Sequence, residues 1–360
     1  MLLNQPGVYT RSSSPYACLN MNALRFISTC GFLLASLSPA LRAQDPPPAA
    51  GIYRVTAHVE VVDAQVLNKK TRRAVRELTS NDFQVYEDNI RQQISSFSQD
   101  ELPLSVVLLF DLTDSVRPVL KSLAGGALEA LGHLKPEDEV AVMTYAASTK
   151  LIQDFTTDRA LATLAIEKAG RMESGEAAFF NEGIFQATAQ LLRSNHAGNR
   201  RVIIWLTDDI PNFPSDEVRA RYGRSLGKGK LHSEKEAMEA LLRSGTMVST
   251  LLQRSRMSDE QFSLQLSKTF ETQISRMQSP PGDVFRYAQA TGGQVMESGN
   301  KHARDRLAAM IDDIRLRYSL AYHPSRPKPA GSFCSIKVTL SPAVANQKDL
   351  MVEAKQGYYR

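Results

Sequence analysis

Cysteine is scarce in this sequence, and its placement excludes a fold held together by disulfides. The 360 residues contain only Cys18, Cys30 and Cys334. The first two lie in an N-terminal segment that we expect to be removed, so the remaining chain keeps one thiol and cannot form an intramolecular disulfide. Cys334 lies in a stretch of alternating polar and apolar residues, which predicts a buried structural thiol and not a reactive one.

Several motifs of enzyme chemistry are also missing. The sequence has no Gly-x-Ser-x-Gly nucleophile elbow and no phosphate loop that ends in Gly-Lys-Ser or Gly-Lys-Thr. Its six histidines are scattered without a His-x-x-x-His pair, which argues against a zinc site on a helix. Lys and Arg form no stripe interleaved with aromatic residues, which argues against nucleic acid as a partner. We therefore expect a protein that is not an enzyme.

The N-terminal segment lacks acidic residues and indicates an export signal. Without residues 1–43 the chain has 40 basic and 38 acidic residues, so most of the formal charge of +5 comes from this segment. Met21, an alternative first residue, opens a short basic stretch that ends at Arg25. Phe26–Leu37 is apolar but too short for a stable transmembrane helix, and a cleavage site follows Ala43. We expect a protein exported to the periplasm, the cell surface or the medium, without a stable membrane span; an uncleaved anchor is the alternative.

The rest of the chain divides into two β ends and an α/β middle. A Pro-rich linker is predicted over 44–52. Residues 53–101 and 317–360 alternate apolar and polar side chains, as half-buried strands do. Residues 102–316 alternate buried strands with amphipathic helices, which predicts a doubly wound, mostly parallel sheet. We therefore expect an α/β domain, with a helical insertion at about 253–282, inserted into a β-sandwich built from the N- and C-terminal segments.

One stretch, Leu104–Val116, combines a buried strand with oxygen-bearing side chains. It begins as a near-continuous apolar run, typical of a strand covered on both faces of a parallel sheet. Asp111, Thr113 and Ser115 follow at alternate positions past the carboxyl end of the strand, where open α/β sheets bind ligands. One carboxylate and two hydroxyls can supply part of the octahedral oxygen shell of Mg²⁺. Alternatively, Thr113 and Ser115 cap the following helix.

This motif resembles the Asp-x-Ser-x-Ser signature of the metal-ion-dependent adhesion site in von Willebrand factor type A domains. The segments LTSNDFQVYEDNIRQQISSF and DDIRLRYSLAYHP, which flank the middle of the chain, resemble the type A-related family abundant in acidobacteria. The resemblance covers roughly Tyr53 to Arg360. It implies a von Willebrand factor type A-like, Rossmann-like sheet. It also implies a recognition module in which an acidic side chain of a partner protein completes the metal shell.

The resemblance implies that the metal ligands come from three loops at one sheet edge. The first loop supplies Asp111, Thr113 and Ser115, with Thr in place of the usual Ser. Asp208 follows another predicted buried strand and matches the Asp of the family's Thr-Asp-Gly turn. Asp209 stands where Gly is usual. It is a further candidate ligand, and its alternative role is a turn residue or a helix cap.

The second loop departs from the family pattern. Members resemble Gly-Gly-Thr-Ala-Leu-Tyr-Asp-Gly there, whereas this chain has GEAAFFNEG over residues 175–183. Alignment of Glu182-Gly183 with Asp-Gly places Ala178 at the position of the metal-binding Thr, and a methyl group cannot bind a cation. A shifted alignment offers Glu176, which would change the charge and the geometry. We expect a degenerate site that binds a metal such as Mg²⁺ weakly, binds Mn²⁺ or Ca²⁺ differently, or is vestigial.

The sequence favours one function and leaves two others open. The first is an exported, non-enzymatic module of the protein-binding or adhesion type, which presents the degenerate metal site to an unknown protein partner. The second is a metal-independent structural or envelope-assembly protein. The third is a hydrolase or phosphatase that uses Asp111 and Asp208. Aspartyl phosphatases need a second Asp two residues after the first, and this chain has Thr113 there.

Overall fold

Three β-sheets organise the described part of the protein, for which we present a computed structural model. The structure describes residues 59–71, 73–99, 102–173, 175, 178–209, 231–253, 283–299, 302–326 and 328–360. One sheet has six strands and comes from the middle of the chain, and two sheets have four strands each and come from both ends. Within these ranges, no helix has the length and apolar character needed to cross a membrane.

The elements are numbered in chain order over the described residues. The strands are β1 (Glu60–Asn68), β2 (Phe83–Glu87), β3 (Ile90–Gln92), β4 (Ile94–Ser98), β5 (Leu104–Asp111), β6 (Glu139–Tyr145), β7 (Thr149–Thr156), β8 (Arg200–Thr207), β9 (Met247–Leu252), β10 (Val295–Glu297), β11 (Tyr318–Tyr322), β12 (Phe333–Leu340), β13 (Leu350–Ala354) and β14 (Gly357–Tyr359). The helices are α1 (Arg117–Leu131), α2 (Arg159–Ala169), α3 (Phe180–Leu191), α4 (Glu234–Ser244), α5 (Val284–Thr291), α6 (Ala303–Arg315) and α7 (Pro342–Lys348).

The six-stranded sheet is mostly parallel, as predicted. Its order is β10-β9-β8-β5-β6-β7, and the pairs are parallel except for β6 and β7. Apolar side chains of α1, α2 and α6 pack on one face, and those of α3, α4 and α5 pack on the other. Strands β5, β6 and β9 are buried along their whole length because helices cover both faces.

The edge strand β7 was not predicted from the sequence. All eight of its residues are half-buried or exposed, so the strand carries no alternation of buried and exposed positions. The helix after it begins at Arg159. Asp158 is the reason, because its side chain accepts hydrogen bonds from the backbone N–H groups of Ala160 and Leu161 and caps the helix.

The two four-stranded sheets form the predicted β-sandwich. Their orders are β13-β1-β11-β4 and β14-β12-β2-β3, and all neighbouring strands are antiparallel. Buried side chains from both sheets form one apolar cluster, so the sheets pack face to face. Cys334 lies in this cluster and is buried, which confirms its predicted structural role.

The sandwich and the α/β region meet at the amino end of the central sheet. Ser98, the last residue of β4, pairs with Ser319 of β11, so the chain leaves and re-enters the sandwich at adjacent positions. Arg200, the first residue of β8, donates from Nε to Asp63 Oδ2 on β1 over 2.8 Å. Because the contacts lie at the start of β8, the carboxyl edge of the sheet lies away from the sandwich.

Candidate metal centre at the carboxyl edge of the sheet

The first and second loops lie side by side at the carboxyl edge of the sheet. Strand β5 ends at Asp111, and Thr113 in the loop after it forms an isolated parallel bridge with Gly175 of the second loop. The N–H of Gly175 donates to the carbonyl of Leu112 over 2.8 Å, and the N–H of Asp114 donates to the carbonyl of Gly175 over 3.1 Å. The two loops predicted to share a site are therefore neighbours.

Asp111 anchors the first loop from a fully buried position. Its Oδ1 accepts a hydrogen bond from the N–H of Thr113 (2.9 Å), and its Oδ2 accepts hydroxyl hydrogen bonds from Thr207 and Tyr145 (2.7 Å each). Burial raises the pKa of Asp111, although these hydrogen bonds oppose the rise. The carboxylate therefore fixes the course of the loop and presents no exposed oxygen to a substrate.

Sequence reasoning missed the contributions of Tyr145 and Thr207 to this anchor. Both are the last residues of strands next to β5, and Tyr145 is the register partner of Asp111. The Tyr145 hydroxyl also accepts a hydrogen bond from Trp205 Nε1 over 2.9 Å. Trp205 is fully buried in the core. The signal that could have found these residues is a polar side chain at the end of each neighbouring strand.

Three candidate ligands form a chain of neighbouring oxygen atoms. Thr113 Oγ1 lies 3.0 Å from Ser115 Oγ, which donates to Asp208 Oδ1 over 3.3 Å. Adjacent oxygen ligands of an octahedral Mg²⁺ lie about 3.0 Å apart, because each metal–oxygen bond is about 2.1 Å. Thr113 and Asp208 are buried and Ser115 is half-buried. The spacing of these oxygens therefore fits part of the shell of a small divalent cation.

Capping of the next helix does not explain the two hydroxyls. The N-cap residue of α1 is Val116, no side chain makes a cap hydrogen bond there, and Pro118 lies in the first turn. Proline has no N–H at a position where a cap would be needed, and its fixed φ suits the start of a helix. The interpretation that Thr113 and Ser115 cap α1 is therefore wrong.

The second loop supplies no side-chain oxygen from the residue aligned with the family's Thr. Ala178 is half-buried and packs against the apolar cluster beneath α3. Glu176, the other candidate in this loop, lies outside the described residues, and its role stays a prediction. From the described residues, the shell of a cation at this edge would be incomplete on the side of the second loop.

Asp209 occupies a tight turn beside the three-oxygen chain. Its φ of 58° lies in the left-handed region that favours glycine, which explains why the family pattern has Gly at this position. Its N–H donates to Thr207 Oγ1 over 3.0 Å, the same hydroxyl that donates to Asp111. The backbone of Asp209 thus supports the anchor, and its carboxylate adds negative charge next to Asp208.

A second group of potential ligands lies in the sandwich. Glu87, Asp88 and Cys334 bring one ligand atom each within 4.8 Å of one another. Glu87 Oε2 accepts the hydroxyl of Tyr322 over 2.7 Å, and Asp88 pairs with Lys328 over 2.6 Å. Because the Glu87 carboxylate already accepts a hydrogen bond and the Asp88 carboxylate already forms an ion pair, we assign no metal to this group.

Comparison with known families shows what the α/β region is. Residues 106–210 match the model of the von Willebrand factor type A domain. This chain contains a von Willebrand factor type A-related domain. The match runs from β5 past the end of β8, so it includes Asp111, Thr113, Ser115 and Asp208. The matched type A domain thus contains every first- and third-loop candidate, the further candidate Asp209 included.

Similar solved structures have low sequence identity to this chain. BatB from Bacteroides thetaiotaomicron is 16% identical over 59% of this chain and 97% of its own, with a TM-score of 0.38. A von Willebrand factor type A protein from Catenulispora acidiphila is 12% identical over 73% and 71%, with a TM-score of 0.40. Proximal thread matrix protein 1 from the mussel byssus is 12% identical over 63% and 50%, with a TM-score of 0.42. Likenesses at this level carry no argument about function. A search of curated proteins found no match.

Proposed function

We propose that this protein is an exported, non-enzymatic binding module of the adhesion type. In this proposal the carboxyl edge of the central sheet holds a divalent cation, and an acidic side chain of a partner protein completes its shell. The observation that carries the proposal is the spacing of Thr113 Oγ1, Ser115 Oγ and Asp208 Oδ1, at 3.0 and 3.3 Å between neighbours. The match to the type A domain supports it.

The composition of the candidate shell favours recognition over turnover. Thr113 and Ser115 are neutral, so Asp208 is the carboxylate in the three-oxygen chain, and Asp111 acts from behind by fixing the loop. A Mg²⁺ bound by few carboxylates, or Mn²⁺ or Ca²⁺ in its place, keeps positive charge for a further anionic ligand. The buried, hydrogen-bonded state of Asp111 weighs against a hydrolase that uses it as an exposed nucleophile.

A metal-independent structural or envelope-assembly role is the second candidate. Two observations favour it. The methyl group of Ala178 packs against the core where the family places a ligand. In addition, Asp114 is exposed and Asp209 is half-buried beside Asp208, so excess negative charge at this edge would weaken the attraction for an acidic partner.

Calorimetric titration of Mg²⁺, Mn²⁺ and Ca²⁺ into the full chain tests the proposal. We expect saturable binding that weakens about tenfold or more in Ser115→Ala and Asp208→Asn, because each removes one oxygen contact or one charge. Ser95→Ala is the matched control, since it deletes an exposed hydroxyl in the sandwich. Absence of binding at millimolar metal, or equal binding by Asp208→Asn, would favour the metal-independent role.

A glutamate-rich peptide then tests recognition as distinct from metal binding. We expect the peptide to bind the metal-loaded chain, to dissociate on addition of a chelator, and to fail with Ser115→Ala. A lysine-rich peptide of equal length is the control for nonspecific charge attraction. A chain that binds metal but ignores the acidic peptide would have a structural cation, and the proposed mode of recognition would be wrong.

A further inference from the structure

A basic cavity lies where the amino end of the central sheet meets the sandwich. Its volume is about 220 Å³. It lies at the start of β8, whereas the candidate metal centre follows the end of the same strand. Among the described residues that line it, the acidic one is Asp63, and the basic ones are Arg200, Arg201, Arg317 and Lys355.

Two of these arginines are deeply buried and incompletely hydrogen-bonded. Arg200 is 6% exposed; its Nε donates to Asp63 (2.8 Å) and its Nη1 to the carbonyl of Ile314 (3.0 Å), but Nη2 has no hydrogen-bond partner among the described residues. Arg317 is 1% exposed and donates from Nη2 to the carbonyl of Gly292 over 2.7 Å. Its Nε is likewise buried with no partner in the described part of the chain.

Arg201 repeats the pattern at a less buried position. Its Nη1 donates to the carbonyl of Ser244 over 3.1 Å, whereas its Nε is buried and meets no acceptor within the described ranges. Guanidinium groups stay charged in proteins, and a buried N–H without an acceptor costs about 1–3 kcal/mol. Three such donors around one cavity are therefore unfavourable unless something accepts their hydrogen bonds.

The positive charges around the cavity add to the cost of these unpaired donors. Burial, together with the nearby charge of Arg200, lowers the pKa of Arg317 to about 10, although Asp63, Glu353 and Asp313 oppose the change. Lys355 adds little to this positive charge, because it forms an ion pair with Glu60 over 2.5 Å. Arg200 and Arg317 thus lie close enough to repel each other, and a bound anion would relieve that repulsion.

We propose that this cavity binds a small oxyanion, a carboxylate or a phosphate group, through Arg200, Arg201 and Arg317. The forked donors of arginine match the oxygen pairs of both groups. The volume is below the range of about 300–1,000 Å³ typical of pockets for larger ligands, which suits a small anion or the anionic end of a longer molecule. Val61 lines the cavity and is 48% exposed, so the ligand can enter from solvent.

Calorimetric titration of the full chain with inorganic phosphate and, separately, with succinate tests this site. We expect saturable binding of at least one probe, and the preferred probe identifies the anion class. Binding should weaken about tenfold in Arg201→Gln, which removes a donor, and in Arg317→Lys, which keeps the charge but loses the fork. Arg171→Gln is the matched control, because Arg171 is an exposed arginine paired with Glu167.

Two further readouts keep the outcome unambiguous. Phosphate stabilises many proteins by exclusion from their surface, so only a saturable rise in melting temperature that Arg201→Gln loses supports the site. Arg201 is half-buried, so its variant serves if Arg317→Lys fails to fold. Asp208→Asn should leave anion binding unchanged, which separates this site from the metal edge. The absence of saturable binding with either probe, or unchanged binding by Arg201→Gln, would mean that only water satisfies the arginines.

Discussion

Asp111 shows that a carboxylate can define a site without facing its ligand. Its oxygens accept hydrogen bonds from one backbone N–H and two hydroxyls, and the side chain is fully buried. The candidate ligands of this loop are instead the hydroxyls two and four positions later, which lie 3.0 Å apart. Local pattern and family resemblance placed Asp111, Thr113, Ser115 and Asp208 at one edge. They could not identify Tyr145, because the register that sets it opposite Asp111 is a property of paired strands.

Replacement of Tyr145 by Phe should lower stability through this anchor. The change removes one of two hydroxyl donors to Asp111 Oδ2, and it leaves the buried Nε1 of Trp205 without its acceptor. We expect a loss of about 1–3 kcal/mol in the free energy of unfolding, measured by urea denaturation. Tyr86→Phe is the control. The Tyr86 side chain is half-buried, and its hydroxyl donates a hydrogen bond to Oε1 of the nearby Gln84 over 3.0 Å. Equal losses in both variants would show that Tyr145 has no special role.

At the scale of elements, two helices of the α/β region end in the same way but in different surroundings. The C-cap residue that follows α4 is Gly245, with φ 66°, and the C-cap residue that follows α5 is Gly292, with φ 75°. A Cβ atom at Gly245 would meet nothing within 4 Å among the described residues. At Gly292 it would lie 2.5 Å from the backbone nitrogen of Lys355. The second helix end is therefore a close contact between the α/β region and the strand β13.

Alanine at each of these glycines should separate backbone strain from steric clash. We expect Gly245→Ala to cost about 1–2 kcal/mol, because a side chain is unfavourable in the left-handed region. Gly292→Ala should lower the free energy of unfolding by about 1–3 kcal/mol more than Gly245→Ala does, because the backbone of the sandwich must move to make room for the methyl group. Urea denaturation of both variants measures the difference. Similar losses would mean that β13 yields to the new methyl group without cost.

Elements with strong periodicity were predictable, and elements defined by tertiary pairing were not. The buried strands β5, β6, β8 and β9 follow from their apolar runs. The C-terminal strands β13 and β14, by contrast, lie in different sheets, which the alternation of residues 317–360 does not indicate. Gln356 between them donates to the carbonyl of Ala290, a long-range contact that no local pattern reports. Most of the insertion predicted at about 253–282 lies outside the described residues.

For the whole molecule, the pair of Asp63 and Arg200 connects the sandwich to the central sheet. Burial raises the pKa of Asp63, but the charge and hydrogen bond of Arg200, helped by the hydroxyl of Ser319, outweigh it and lower the pKa below 3.8. A carboxyl group whose pKa is lower in the folded state stabilises that state fully above its unfolded pKa. This stabilisation is lost as the pH falls through the folded pKa.

Asp63→Asn should therefore change stability in a pH-dependent way. Near neutral pH we expect the variant to be less stable than the wild type. The gap should begin to narrow below about pH 4, where the Asp63 carboxyl of the unfolded chain takes up a proton, and close as the pH falls through the lower pKa of the folded state. Because the Asp63 side chain is 32% exposed, the effect should stay within about 1 kcal/mol. Urea midpoints measured from pH 7 downward give the comparison, and a gap that is constant with pH would contradict the assigned role of the charge.

The pairing of Ser98 with Ser319 also has a mechanical consequence. The two connections of the α/β region leave the sandwich from neighbouring positions of adjacent antiparallel strands. Tension applied between the ends of the described chain must first pass through the hydrogen bonds of β4 and β11 before it reaches the central sheet. The α/β region therefore lies outside the direct path of this force as long as β4 and β11 stay paired. A partner bound at the carboxyl edge of the central sheet would pull on the α/β region, whose two connections to the sandwich are held together by the pairing of β4 with β11.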